Sequence, residues 1–173
     1  MTQEEKRGLT RRELLTKAAS VSALALIGIG FICAPTGAWA MEVKVIKPEE
    51  MATLLQMARD IYPHDQVADQ FYAVAVKGYD AEDKKALVEA GIAELDAAAK
   101  AIGHASYASI GWEEDRVQAL QSIEKSTFFQ TVRAGLVTGL YNQKEVWPIF
   151  GYEGESYSQG GYIARGFDDI NWL

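Results

Sequence analysis

Apolar residues recur every three or four positions in several segments between residues 48 and 141, and this spacing constrains the fold most. A repeat of that length places the apolar side chains on one face of an α-helix. The clearest segment carries Val88, Ile92, Leu95, Ala99 and Ile102 on one face, with Gly103 placed to end the helix. No stretch shows sustained strand alternation. The sequence therefore predicts an all-α domain over residues 41–141, a small antiparallel bundle of about five helices.

The other helices are placed by their apolar residues and by the residues suited to begin them. The second helix is expected over about residues 66–79, with Val67, Phe71, Val74 and Gly78 on one side. Asp80 precedes the third helix and is expected to cap its first turn. The fourth and fifth helices are expected to begin near Trp112 and after Ser126.

Residues 1–40 have the pattern of an export signal. The segment TRRELLTK contains the residues of a twin-arginine motif, Arg11, Arg12, Leu14 and Leu15. An uncharged stretch follows, and Ala38 and Ala40 flank Trp39 in a small–x–small cleavage pattern. The alternative is a permanent membrane anchor, which Pro35 and many small residues disfavour. We expect recognition by the twin-arginine translocase and a periplasmic protein, with an uncleaved signal acting as a tether as the alternative to cleavage.

Charge and cysteine content exclude several classes of function. The chain has 17 basic and 24 acidic residues, of which five and three lie in residues 1–40, so residues 41–173 carry a net charge of −9. Such an acidic protein repels phosphate backbones, and no nucleic-acid partner is expected. The single cysteine, Cys33, lies in the predicted signal. A cleaved protein would therefore have no disulfide, thiolate metal site or thiol nucleophile.

The segment 142–173 differs from the helical part. Its large aromatic residues are Trp147, Phe150, Tyr152, Tyr157, Tyr162, Phe167 and Trp172. Glycines between them oppose a regular helix, whereas so many aromatic residues are untypical of disorder. We therefore expect a long irregular tail with two possible roles. The tail either completes the core of its own bundle or presents its aromatic residues to another protein, and both roles can share it.

No catalytic, cofactor-binding or metal-binding residue is predicted in this chain. His64 precedes Asp65, but sequence neighbours rarely face each other as a base and its orienting acid must, so His64 is interpreted as a turn or interface residue. His104 follows a helix stop, and the acidic run 113–115 suits a helix start. The chain has no GxGxxG fingerprint, CxxCH haem attachment or phosphate loop. Asp168 and Asp169 are expected to pair with cations of a partner.

Twin-arginine export carries folded proteins, often loaded with a cofactor, yet this chain has no cofactor motif. A cofactor-bearing partner without its own signal would explain the route. Three segments support this hypothesis: LLQMARDIYPHD, GIAELDAAAKAIGHASYASIGWEEDRVQALQSIE and FFQTVRAGLVTGLYN. In order and spacing they resemble the gluconate 2-dehydrogenase subunit 3 family, over roughly residues 50–155. The ending FGYEGESYSQGGYIARGFDDINWL is longer than the glycine-rich ending of many relatives.

The resemblance implies a non-catalytic small subunit of a membrane-associated dehydrogenase for sugars or alcohols. The catalyst would be a large flavoprotein of the glucose–methanol–choline oxidoreductase type that carries FAD, often with a cytochrome c subunit that carries haem. The small subunit would assemble, stabilise and co-export that flavoprotein. Two other classes of function are kept: a free-standing periplasmic binding or chaperone-like module, and an independent enzyme that uses His64 and nearby carboxylates.

Overall fold

The computed structural model describes residues 25–26, 31–33, 39–163 and 167. Within these residues the strands are β1 (Ala25–Leu26), β2 (Phe31–Cys33) and β3 (Ala40–Glu42), and the helices are α1 (Pro48–Ile61), α2 (Asp69–Val76), α3 (Glu82–Ala101), α4 (Glu113–Ser122) and α5 (Thr127–Tyr141). Short 3₁₀ helices occupy Lys77–Tyr79, Tyr107–Ser109, Trp147–Phe150 and Ser156–Gln159. The prediction of a small all-α bundle is confirmed.

Helix α1 lies at the centre of the bundle, because it contacts the other four α-helices and β2. Its buried apolar residues are Met51, Leu54, Leu55, Met57 and Ala58. In α3, the predicted face is buried at Val88, Ile92, Leu95 and Ala99. Helix α3 lies close to α5 at Gly91, where a Cβ atom would stand 2.0 Å from the ring of Phe128.

The predicted apolar side of the second helix is wrong at Val74, whereas Val67 is buried and Phe71 packs against the core. The helix buries Tyr72, Ala73 and Val76, whereas Val74 is 61% exposed. The last six of the eight residues in the helix sequence DQFYAVAV are all apolar, so periodicity alone does not select a face. The face is set by packing on α1 and α5, and the buried Tyr72 hydroxyl donates to the carbonyl oxygen of Tyr62 at 2.5 Å.

Asp80 does not cap α3, whose N-cap residue is Ala81 and has no side-chain cap. Its carboxylate instead accepts hydrogen bonds from the backbone N–H groups of Lys44, Val45 and Ile46, at 2.8–3.2 Å. The Lys77 ammonium lies 3.0 Å away. Burial alone would raise the pKa of Asp80, but these hydrogen bonds outweigh it and lower the pKa from 3.8 to about 2. Asp80 thus fastens residues 44–46 to the bundle.

Asp80 should make stability depend on pH in the acid range. Because the folded-state pKa is depressed, its contribution of about 2 kcal/mol is present above pH about 4 and is lost as pH falls towards about 2. Replacing Asp80 with Asn should therefore cost about 2 kcal/mol of unfolding free energy near neutral pH and progressively less in acid. Urea unfolding at several pH values measures the difference. Asp83→Asn, whose side chain is 72% exposed, is the control. A wild-type-to-variant difference that is independent of pH would contradict this account.

The three strands form a small antiparallel sheet in the order β1-β2-β3. They lie where no strand was predicted, because elements of two or three residues are too short to show alternation. Strand β2 brings Ile32 into the hydrophobic core, where it is fully buried. The segment after β3 continues inward with the buried residues Val43 and Ile46.

A buried polar network joins α1 to α4. The Asp60 carboxylate accepts hydrogen bonds from the Tyr107 hydroxyl and, at 2.8 Å, from Nε of Arg116. Gln56 adds a further donor at 3.1 Å. The side chains of Asp60 and Arg116 are only 5% and 12% exposed. Burial, together with the charge and hydrogen bond of Asp60, raises the pKa of Tyr107, which keeps its hydroxyl a donor.

Candidate partner-docking site

The turn between α1 and α2 contains the YPHD segment and is held in place by Arg59 of α1. Nη1 of Arg59 lies 2.6 Å from Oδ1 of Asp69 and 3.2 Å from the carbonyl oxygen of Val67. Its guanidinium also stands over the ring of Tyr72, 5.0 Å from the centroid. These contacts order the turn, because the planar guanidinium group can hydrogen-bond to several partners and lie over an aromatic ring at the same time.

His64 connects this turn to the end of α5 and the start of the tail. Its Nε2 lies 2.6 Å from the hydroxyl of Tyr141. Its ring is edge-on to the rings of Tyr141 and Phe150, with centroids 5.6 and 4.9 Å away. Within the described residues the hydrogen-bond partner of its side chain is thus Tyr141 and not Asp65.

Tyr141 is the centre of a small aromatic cluster. Besides His64, its ring contacts those of Tyr62 and Phe150, with centroids 5.8 and 5.7 Å away. Burial and then the nearby Tyr72 and Tyr62 raise the pKa of Tyr141, so the phenol stays neutral at physiological pH. The Tyr141–His64 pair within this aromatic cluster holds the turn and the tail together.

The first part of the tail is anchored on the bundle. Val146 is fully buried. The indole N–H of Trp147 donates to the carbonyl oxygen of Tyr141 at 2.8 Å. The side chain of Gln143 donates to the carbonyl oxygen of Phe71 at 2.8 Å, which ties the tail to α2. The Lys144 ammonium lies 5.5 Å from the Trp147 ring centroid and 2.8 Å from the Glu155 carboxylate.

The remaining aromatic residues of the described tail are exposed. Phe150 and Tyr152 are about half exposed, at 48% and 52%. The exposed fraction is higher still for Tyr157, Tyr162 and Phe167, at 93%, 73% and 76%. We call these five residues the aromatic tail surface. Single exposed apolar residues are ordinary, but several large rings within 18 residues mark a segment suited to contact another protein.

The structure divides the seven aromatic residues that the sequence placed at a partner interface. Trp147 donates a hydrogen bond to the end of α5 and follows the fully buried Val146, so the interpretation of the tail as part of its own core holds for this part. Of the aromatic tail surface, Tyr157, Tyr162 and Phe167 leave most of their rings to solvent. Phe150 and Tyr152 are half exposed, because Phe150 packs on His64 and Tyr152 on Trp147. Trp172 lies outside the described residues, as do Asp168 and Asp169.

The other candidate residues serve the bundle. His104 joins the end of α3 to the start of α4, because its Nε2 lies 3.1 Å from a carboxylate oxygen of Asp115. Glu113, Glu114 and Asp115 occupy the first turn of α4, as predicted. In the part of the chain that the structure describes, no group of three or more His, Cys, Asp or Glu side chains is arranged to hold a metal ion.

The predicted export residues lie mostly beyond the described part. Arg11, Arg12, Leu14, Leu15 and Ala38 are all outside it. Ala40 is described and begins β3, where its backbone pairs with Cys33. Among the described residues, no helix has the length and apolar character that crossing a membrane requires.

Sequence reasoning missed Tyr141, Gln143 and Val146, which fix the tail to the bundle. Tyr141 is the last residue of α5 and Gln143 lies two positions later, so both read as residues of a helix end. Their partners lie more than 70 positions earlier, at His64 and Phe71. Only the buried Val146 carried a local signal, as an apolar residue between Glu145 and Trp147.

Comparison of this chain with protein-family models, with curated proteins and with solved structures finds no match.

Proposed function

We propose that this chain is the non-catalytic small subunit of a periplasmic FAD-dependent dehydrogenase for sugars, alcohols or polyols. Its partner is a large flavoprotein of the glucose–methanol–choline oxidoreductase type without an export signal, with a cytochrome c subunit as a third component. The small subunit assembles and stabilises that flavoprotein and carries it through the twin-arginine translocase. The complex then works in the periplasm or at its membrane surface.

The observation that carries this proposal is the aromatic tail surface on its anchored base. A free tail would lose conformational entropy when its aromatic residues bind a partner. Val146, Trp147 and Gln143 already hold the start of this tail, so this cost is smaller. Tyr and Phe anchors of this kind carry a large share of the binding energy in protein interfaces. The twin-arginine motif and the family resemblance add the export route and the class of partner.

Co-export gives a test in the native host. Replacing Arg11 and Arg12 together with Lys keeps both positive charges but removes the paired guanidinium groups of the motif. We expect this variant to stay in the cytoplasm together with its partner, so that most of the periplasmic dehydrogenase activity is lost. Activity is assayed in separated periplasmic and cytoplasmic fractions.

Lys17→Arg, in the same segment, is the control and should leave export unchanged. If the double-lysine variant retains wild-type periplasmic activity while the small chain itself is absent from the periplasm, the flavoprotein does not depend on this chain for export. That result would remove co-export from the proposal.

A further inference from the structure

Strand β2 belongs to the predicted export signal and is also part of the folded bundle. Ile32 is fully buried, whereas the neighbouring Phe31 is 42% exposed. Strand β2 packs against α1, the central helix. A side chain with no exposed surface contributes to the core like any other core residue. The predicted export signal, which we call the leader, therefore fills a slot in the core of the bundle with Ile32.

The predicted cleavage site lies in the partner strand. Strand β3 pairs with β2 in the register Phe31↔Glu42, Ile32↔Met41 and Cys33↔Ala40, so the pairing spans the Ala40–Met41 bond. Trp39, directly before β3, packs against the core. A protease acts on a locally opened chain, and the population of that opened state limits the rate of cleavage.

The chain beyond the bond is also fixed. Val43 and Ile46 are buried, and Asp80 accepts the N–H groups of residues 44–46. The bond is therefore held by strand pairing on one side and by the bundle on the other. Opening it requires β2 to separate from β3 and Ile32 to leave its slot.

We propose that the folded bundle holds its own leader at residues 31–33 and thereby shields the Ala40–Met41 bond. The leader is removed only after β2 detaches, so a chain that has folded keeps its signal until something displaces that strand. This device is independent of the flavoprotein partner and of the aromatic tail surface.

Limited digestion of the purified full-length chain with chymotrypsin tests the proposal. Chymotrypsin cleaves after aromatic residues, and Trp39 lies just before the shielded bond. Ile32→Ala should accelerate cleavage after Trp39 by at least about 10-fold, because truncating a fully buried residue favours the opened state. Phe31→Ala removes an apolar side chain from the same strand and should change that rate by less than about 2-fold. Intact-mass measurement follows the product.

A second variant distinguishes local opening at β2 from unfolding of the whole bundle. Tyr72 and Tyr107 are fully buried and report opening of the bundle itself. If Ile32→Ala also makes cleavage at these two tyrosines faster, the milder variant Ile32→Val is used instead. We expect Ile32→Val to accelerate cleavage after Trp39 by about 2- to 10-fold while both tyrosine sites stay protected. Equal rates for the wild type and Ile32→Val, or equal acceleration by Ile32→Ala and Phe31→Ala, would overturn the proposal.

Discussion

Replacing Arg116 with Met is expected to lower the free energy of unfolding by about 3–5 kcal/mol. Arg116 is the only cation bonded to the Asp60 carboxylate among the described residues, and both side chains are largely buried. Met preserves much of the packing volume but leaves the Asp60 charge buried without a counter-ion. Because a small domain has about 5–15 kcal/mol of stability in total, the loss should be obvious in a urea titration.

Two further variants separate the buried charge from lost packing. Lys84→Met removes a cation from an exposed pair with Asp83, 3.5 Å apart, and should cost less than about 1 kcal/mol. Adding Asp60→Asn to Arg116→Met removes the uncompensated charge while keeping an oxygen for the Tyr107 hydroxyl, and should recover about 2 kcal/mol. A cost below about 1 kcal/mol for Arg116→Met, or no recovery in the double variant, would contradict the role given to this network.

Removal of three rings from the aromatic tail surface is expected to abolish most binding of the flavoprotein subunit. Interface anchors each cost roughly 2–4 kcal/mol when cut to Ala, and these effects are not additive. For Tyr157, Tyr162 and Phe167 together we expect binding at least about 1,000-fold weaker. Because these residues are 73–93% exposed, the thermal midpoint of the isolated subunit should stay within about 2 °C of the wild type. Affinity and thermal unfolding are measured on the same preparations.

Two controls bracket this result. Trp112→Ala removes an exposed ring, 53% accessible, from outside the tail and should leave binding unchanged. Trp147→Ala should instead lower the thermal midpoint, since its indole is partly buried and its N–H donates to the carbonyl oxygen of Tyr141. Truncation at Asn142 is a poorer test, because it also removes the buried Val146. Binding by the triple variant within about threefold of the wild type would exclude the aromatic tail surface as the docking site.

The helices were predictable because their signals are local. Pro48 and two acids begin α1, the Ser126 hydroxyl accepts from the N–H of Phe129 at the start of α5, and Gly103 adopts a positive φ of 94° after α3. Each signal acts within one turn of its own helix. The five helices therefore lie within a few residues of their predicted bounds.

Features that join distant parts of the chain were not predictable. Asp80 meets N–H groups 34–36 positions earlier, whereas its sequence neighbourhood suggested a helix cap. Asp60 and Arg116 are 56 positions apart, and His64 and Tyr141 are 77 apart. In the tail, glycines interrupt any periodicity, so the sequence did not separate the partly buried Trp147 from the exposed Tyr157.

The central claim is that this chain is the small subunit of a flavoprotein complex, and isolation of the tagged chain from the periplasm of its native host tests it most directly. We expect a larger polypeptide to co-purify in fixed stoichiometry, with the absorption spectrum of an oxidised flavin that bleaches when a sugar or alcohol substrate is added. The triple aromatic variant, isolated in the same way, should lose both. A wild-type chain that elutes alone, colourless and as a stable monomer, from cells with active periplasmic dehydrogenase would contradict the account and favour a free-standing binding module.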